Sequence, residues 1–202
     1  MRKFLVALLS GSLLVVAASS AQAAEGAPTP STDHPISVAA LGGFGINNAA
    51  GDNTDSINIY GAGFGVRAGY TLPFKLYVGG LFQYNLGKSI DLPQELGGGS
   101  VKYRTMNLGG EVGYNFDIAQ FTLRPYLGVG VGIAGGDLRF TAPSNGNEGT
   151  KVKFSLWPGV QGVYNFNDQL FAGLDVRYTY ISSDFAGNAN SLGFYGTVGY
   201  RF

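Results

Sequence analysis

Cysteine is absent from this 202-residue sequence, and charged residues make up only 13% of it. Without cysteine the chain has no disulfide framework, no thiolate metal site and no N-terminal cysteine for lipidation. Charged residues usually account for about 25% of a globular chain, and a soluble surface normally needs that share. The shortage of charge therefore argues against an ordinary soluble domain.

Long apolar runs are also scarce. Arg2 and Lys3 precede an apolar stretch over residues 4–18, and residues 21–23 (Ala-Gln-Ala) have the form of a signal-peptide cleavage site. This pattern predicts a secretory signal peptide over residues 1–23, and a retained N-terminal anchor is the other interpretation. No later run is long enough to cross a membrane as a helix of about 20 residues. Membrane insertion would therefore have to use strands.

The chain that follows the signal peptide carries little net charge. Removal of residues 1–23 leaves 11 basic and 13 acidic side chains, a formal charge of −2. Proteins that bind nucleic acid usually carry a basic patch, so we expect no nucleic-acid partner. About 180 residues remain, enough for one domain. Three prolines in residues 24–35 predict a flexible leader in front of that domain.

Glycine is present in excess, with 33 residues, more than twice its usual share of about 7%. Many of these glycines alternate with apolar side chains. Over residues 57–72, one face carries Tyr60, Phe64 and Val66, while the other carries glycines and Arg67. Such period-two alternation is typical of a β-strand that has one apolar side.

The same alternation recurs and predicts eight strands, each long enough to cross a membrane at a tilt. They cover residues 36–47, 57–72, 75–87, 101–116, 121–135, 151–166, 170–182 and 191–202. Tight turns alternate with longer polar loops over residues 48–56, 88–100, 136–150 and 183–190. This asymmetry is typical of bacterial outer-membrane barrels. The predicted fold is all-β, an eight-stranded antiparallel up-and-down transmembrane β-barrel over residues 36–202.

Aromatic residues gather where the even-numbered strands end at tight turns. They are Tyr70, Tyr114, Phe116, Tyr164, Phe166, Tyr200 and Phe202. In the predicted register all of them lie on the outer face at one height. They would form an aromatic girdle, which membrane barrels place where lipid meets water.

The last strand resembles the C-terminal signature of outer-membrane β-barrel proteins, because Phe194, Val198, Tyr200 and the final Phe202 alternate outward. Thr197 departs from that signature, which usually has glycine there. As an architecture, the chain resembles the small eight-stranded family of OmpA-like barrel domains, opacity-type surface proteins and OmpX-like proteins. The resemblance implies a multi-pass location in the bacterial outer membrane, contact with lipid and lipopolysaccharide, and a periplasmic leader. It also implies that the outer-membrane insertion machinery recognises the terminal aromatic residue.

The predicted register assigns polar side chains to the barrel interior. The candidates for a polar network there are Arg67, Glu111, Arg124, Asp175, Arg177 and Arg201, joined by Gln83, Tyr126, Trp157, Gln161 and Tyr195. Eight strands enclose barely enough space for side chains, so we expect a filled interior with Glu111 and Asp175 as central acceptors. We also expect Gly128, Gly130, Gly132 and Gly173 to leave room for the arginines and Trp157.

Two alternatives remain open for this arrangement. The surplus of arginine is also compatible with a narrow, anion-preferring water path. A soluble barrel such as a lipocalin would use the same alternation turned inside out, with its apolar side around a ligand. The aromatic residues concentrated at one end and the glycine-rich opposite face argue against the soluble barrel.

No catalytic or cofactor-binding motif withstands comparison with the predicted strands. Residues 130–135 match G-x-G-x-x-G, but these glycines alternate within one strand, whereas the dinucleotide motif needs a turn and a helix. The single histidine, His34, lies in the leader, so no Ser-His-acid triad can form on the strands. Small barrels that act as lipid A deacylases or palmitoyl transferases use histidine with serine. We therefore expect no catalytic, cofactor-binding or metal site.

The predicted loops are acidic. Their carboxylates are Asp52, Asp55, Asp91, Glu95, Asp137, Glu148 and Asp184. Two oxygen-rich clusters, residues 52–55 and 145–148, lack EF-hand spacing, and solvated loop chemistry is the preferred interpretation of both.

Interaction sites usually lie in loops on a rigid scaffold. The leading hypothesis is a monomeric, non-catalytic barrel that contributes to envelope integrity and contacts host or cell-surface ligands through its loops. The alternative is a minor porin or transporter for ions or small solutes, as in OmpW-like barrels.

Overall fold

The computed structural model describes residues 34–47, 60–92, 99–140, 152–182 and 189–202. Its strands are β1 (Ile36–Asn47), β2 (Gly61–Thr71), β3 (Leu76–Leu92), β4 (Gly99–Tyr114), β5 (Phe116–Ile118), β6 (Phe121–Phe140), β7 (Val152–Asn165), β8 (Leu170–Ile181) and β9 (Ala189–Arg201). In the described part, no helix has the length and apolar character needed to cross a membrane. The predicted signal peptide and residues 24–33 of the predicted leader lie outside the described residues.

The strands form one antiparallel sheet that closes on itself. β1 pairs with both β2 and β9, and the sheet continues in chain order on either side until β4 pairs with β6. β5 has only three residues and continues the line of β4 along β6. With β4 and β5 counted as one strand, the barrel has eight strands in up-and-down order, which confirms the predicted fold class.

β4 and β5 occupy one strand position of the barrel, and the break between them lies opposite a proline. Gly113 of β4 faces Tyr126, and Phe116 of β5 faces Leu123, in one continuous register along β6. Pro125 lies between those two positions on β6. Its ring nitrogen has no hydrogen to donate to the ladder. A missing donor, and not a turn, therefore divides the predicted fourth strand.

Four strands are longer than predicted at the end opposite the tight turns. β3 extends to Leu92, β4 begins at Gly99, β6 extends to Phe140 and β9 begins at Ala189, in segments predicted to be loops. The register of β3 against β4 shifts between Leu86 and Ser89. There, two residues of β3 face one residue of β4, which is a β-bulge. Because the bulge breaks the period-two alternation, the sequence pattern ended before the pairing did.

Tyr60 is a correction to the predicted register. The alternation placed its ring on the outer face, but Tyr60 is 1% exposed and packs against Ile181 inside the barrel. The residue precedes β2, which begins at Gly61 with a φ of 44°. A positive φ is easy for glycine and breaks the strict alternation of a strand. The ring of Tyr60 consequently turns inward.

Elsewhere the apolar face points outward and the polar face inward. Leu174 is 71% exposed, whereas Asp175 and Arg177, which follow it along β8, are buried. Phe64 and Val198 are likewise exposed on β2 and β9. This exposure is the reverse of a soluble barrel and matches a barrel that faces lipid.

The tight connections all lie at one end, which we call the turn end. They span residues 72–75, 119–120 and 166–169. β1 begins and β9 finishes at the same end. Lys75 and Ala119 both have a positive φ in these turns, which tight reversals often require. We call the opposite end, where the longer connections lie, the loop end.

Candidate functional site in the barrel interior

The centre of the interior is an ion-pair cluster built from three strands. Arg67 of β2 lies 2.7 Å from Glu111 Oε2 through its Nε, and its Nη2 donates to Glu111 Oε1 at 3.1 Å. Its Nη1 donates to Asp175 Oδ2 at 2.9 Å. All three side chains are buried. Arg67 therefore links two carboxylates that are far apart in sequence.

Two aromatic side chains donate further hydrogen bonds to these carboxylates. Tyr126 OH donates to both oxygens of Asp175, at 3.0 and 2.8 Å. Trp157 Nε1 donates to Glu111 Oε1 at 2.8 Å. The guanidinium carbon of Arg67 also lies 4.6 Å from the centroid of the Tyr126 ring. Charge-assisted hydrogen bonds of this kind are stronger than neutral ones, so the cluster cross-links the barrel wall.

Arg177 is the second cation of this middle band. Its Nε lies 3.0 Å from Asp175 Oδ1, and its guanidinium carbon lies 4.4 Å from the centroid of the Tyr195 ring. Tyr195 OH donates to Asn85 Oδ1 at 3.0 Å and accepts from Gln83 Nε2. Polar contacts therefore continue from the ion pairs toward the loop end.

The other two interior arginines lie nearer the turn end and bind neutral groups. Arg124 Nε donates to Asn115 Oδ1 at 2.6 Å, and its Nη1 donates to Gln161 Oε1 at 3.2 Å. Its guanidinium carbon lies 3.8 Å from the centroid of the Tyr77 ring. The fourth arginine, Arg201, donates through Nη2 to an amide oxygen at 2.7 Å.

The structure places every predicted interior residue inside the barrel, with each side chain at most 7% exposed. The candidates for the polar network did not include four partners of the arginines, Asn115, Asn165, Tyr77 and Phe171. All four occupy inward positions of the predicted alternation, so the register alone could have found them.

The predicted role of the interior glycines holds at only one of four positions. A Cβ at Gly128 would overlap the indole of Trp157. A Cβ at Gly132 would meet Ile181, while Gly130 and Gly173 face the backbone of a neighbouring strand. These three glycines permit close packing instead of making room for arginine or tryptophan. The expectation is therefore wrong for them.

Metal ligands do not gather in the part of the chain that the structure describes. Within it, no group of three His, Asp or Glu side chains is close enough to hold a metal ion. Residues 52–55 and 145–148, the two oxygen-rich loop clusters, lie outside the described residues. The expectation that these clusters are solvated and hold no metal therefore stays a prediction.

The comparisons with known proteins agree with this lipid-facing barrel. Residues 11–202 match the model of the outer membrane protein beta-barrel domain. The chain belongs to this family. It is therefore a protein of the bacterial outer membrane that crosses the bilayer with strands. A comparison with curated proteins gives no significant match.

Solved structures of outer-membrane proteins share the architecture at low sequence identity. A major outer membrane protein from Thermus thermophilus is 17% identical, with a TM-score of 0.57, and the match covers 83% of this chain and 98% of that one. Neisserial surface protein A is 18% identical over 83% and 96% of the two chains, with a TM-score of 0.49. Ail of Yersinia pestis is 20% identical over 84% and 99%, also with a TM-score of 0.49. The first similarity supports the fold.

In this outer-membrane barrel the turn end is the periplasmic end, because short turns face the periplasm in such proteins. The predicted girdle residues lie on the outer face at that end, and six of them form pairs two residues apart. The ring centroids are 4.8 Å apart for Tyr114 and Phe116 and 5.0 Å apart for Tyr200 and Phe202. The third pair, Tyr164 and Phe166, is joined by Phe121, which the sequence analysis had not included.

Proposed function

We propose that this outer-membrane barrel is non-catalytic, contributes to envelope integrity and contacts other surfaces through its extracellular loops. One observation carries the structural part of the proposal. The middle band of the interior is filled by ion-paired side chains, among them Arg67, Glu111 and Asp175, that are almost fully buried. A solute crossing the barrel would have to separate these pairs in a region of low dielectric. Separating buried ion pairs is costly, which favours a passive barrel.

The proposal is tested by conductance. The refolded protein, reconstituted in planar lipid bilayers, should give no reproducible channels. The competing function is a minor porin or transporter of the OmpW-like kind. It is favoured by the charges of the described interior, where four arginines face two carboxylates. Steady channels whose ion selectivity changes in Arg124→Ala or Arg177→Ala would overturn the passive barrel and establish the porin.

The role in the envelope is tested in cells. A strain that lacks the gene should become more permeable to large hydrophobic antibiotics and to detergent, and the wild-type gene should restore the barrier. A version with shortened loops should restore the barrier, because its strands are unchanged. It should lose adhesion to surfaces, because interaction sites usually lie in loops on a rigid scaffold. Equal adhesion by both versions would remove the loops from the proposal.

The absence of catalysis is a separate part of the proposal. The only histidine of the sequence, His34, lies at the periplasmic mouth just before β1. It is therefore remote from the outer leaflet, where lipid A lies. Incubation of the purified protein with lipid A should release no acyl chain. Release that persists in a His34→Ala variant would show a different enzymatic site.

A further inference from the structure

Positive charge inside the barrel is concentrated toward the periplasmic end. In the middle band, Arg67 and Arg177 are balanced by Glu111 and Asp175. Closer to the periplasm, Arg124 and Arg201 are both buried and donate hydrogen bonds to amide oxygens. Within the described residues, no carboxylate lies within salt-bridge distance of either guanidinium. The described interior has two more arginines than carboxylates. This excess of positive charge therefore lies near the periplasmic end.

Arg201 is the member of this pair that lines a cavity at the periplasmic mouth. It is 7% exposed, its Nη2 donates to Asn165 Oδ1 at 2.7 Å, and its guanidinium carbon lies 4.6 Å from the centroid of the Phe171 ring. Its Nη1 has no hydrogen-bond partner among the described residues. Buried arginine nitrogens normally have acceptors, so Nη1 is a donor without an acceptor beside the periplasmic mouth.

Arg201 lines a cavity of about 110 Å³ at the periplasmic mouth. The cavity is formed by the start of β1, the turn between β2 and β3, and the turn region before β6. Its other polar walls are Thr71, Asn115 and Thr122, and His34 and Lys75 bring further basic groups. A water molecule needs only about 10–15 Å³ of such space, so this cavity is large enough to admit a small tetrahedral oxyanion.

We propose that this cavity binds a phosphate group, with Arg201 as its main ligand and Lys75 as a second cation at the rim. The planar guanidinium fork matches the geometry of phosphate oxygens. A bound dianion or monoanion would neutralise part of the positive charge that Arg124 and Arg201 bring to the periplasmic end of the interior. This site goes beyond the proposed function, because a passive barrel requires no ligand.

Asp117 sets the affinity of this site. It lines the same cavity, accepts from Thr122 Oγ1 at 2.7 Å through Oδ1, and lies 3.3 Å from Lys75 Nζ through Oδ2. Its negative charge repels an entering oxyanion. Its ion pair with Lys75 also competes with the oxyanion for that cation. Removal of that charge should therefore strengthen binding, which gives a test in the opposite direction from the loss of Arg201.

The site is tested by titrating inorganic phosphate into the full protein in an uncharged, phosphate-free detergent. The midpoint of thermal unfolding, followed by gel migration of the folded barrel, should rise saturably with phosphate. Sodium chloride at equal ionic strength should not reproduce the rise. Arg201→Gln should weaken the apparent affinity at least about tenfold, as loss of a charged hydrogen bond implies. Arg104→Gln, which removes an exposed cation near the loop end of β4, should leave it unchanged.

The Asp117→Asn variant keeps the test decisive if Arg201→Gln fails to fold. It retains the size of the side chain and should bind phosphate several-fold more tightly than the wild type. A wild type that phosphate stabilises no more than chloride does would overturn the site. An Asp117→Asn variant with unchanged affinity would do the same.

A further comparison distinguishes the two sources of phosphate at this mouth. In vesicles of phosphatidylglycerol, a lipid headgroup bound in the cavity would abolish the added effect of inorganic phosphate, and Arg201→Gln would lose stability relative to its behaviour in detergent. Soluble phosphate as the natural ligand would leave that effect undiminished in the same vesicles. Either result supports the site and identifies its source.

Discussion

Arg67 and Glu111 form a two-point ion pair inside the barrel, with nitrogen–oxygen distances of 2.7 and 3.1 Å. Removing one partner of a buried pair leaves an uncompensated charge. We therefore expect Glu111→Ala to lower the free energy of unfolding by about 3–5 kcal/mol. Urea unfolding in lipid vesicles, followed by tryptophan fluorescence, measures this change, and Trp157 is itself a partner of Glu111.

The paired change Arg67→Met with Glu111→Leu controls for the loss of packing. Apolar replacement of both partners is often neutral for buried pairs, although Asp175 would here keep only Arg177 and Tyr126 as partners. The double variant should therefore be destabilised less than Glu111→Ala. If the single variant unfolds at the wild-type urea concentration, the pair does not hold the interior together.

Gly128→Ala should destabilise the barrel by about 1–3 kcal/mol, the usual cost of overpacking. The added methyl would overlap the indole of Trp157, and the indole cannot move away without losing its hydrogen bond to Glu111. Gly42→Ala is the matched control, because a Cβ there meets no atom within 4 Å. It should change the free energy of unfolding by less than about 1 kcal/mol. Equal losses in both variants would contradict the role of Gly128.

Val129→Arg should cost about 2–4 kcal/mol of folding stability, since Val129 is exposed on the lipid face near the middle of β6. Val152→Arg introduces the same charge on the same face at the loop end of β7. There the cost should fall to about 0–1 kcal/mol. Unfolding in vesicles compares the two, and similar costs would show that one of these sites lies at a different depth.

Phe202→Ser should slow insertion into the outer membrane, because the family resemblance assigns recognition by the insertion machinery to the terminal aromatic residue. Phe116→Ser is the matched control. Each change removes one ring of an exposed aromatic pair at the periplasmic end, Tyr200–Phe202 or Tyr114–Phe116. Pulse-labelling in cells, read by heat-dependent gel migration, gives the insertion rate. Equal rates for the two variants would assign Phe202 to the girdle alone.

The strands and their two faces were predictable, because a membrane barrel needs an apolar residue at every second position, which gives the sequence a clear period of two. The prediction failed where backbone geometry broke the period. Gly61 turned Tyr60 inward, Pro125 divided one strand of the barrel, and the bulge after Leu86 hid the extension of β3. The period-two alternation of the sequence does not reveal these changes, because each depends on the pairing with a neighbouring strand.

The sequence by itself determined the class of protein, the number of barrel strands and the set of side chains that point inward. It did so because alternation and turn spacing are local properties of the chain. Only the tertiary structure decided which inward charges meet. Arg67 contacts Glu111 and Asp175, whereas Arg124 and Arg201 bind amide oxygens. Contacts across a closed barrel depend on the height that strand register gives each residue, and register is a property of the whole sheet.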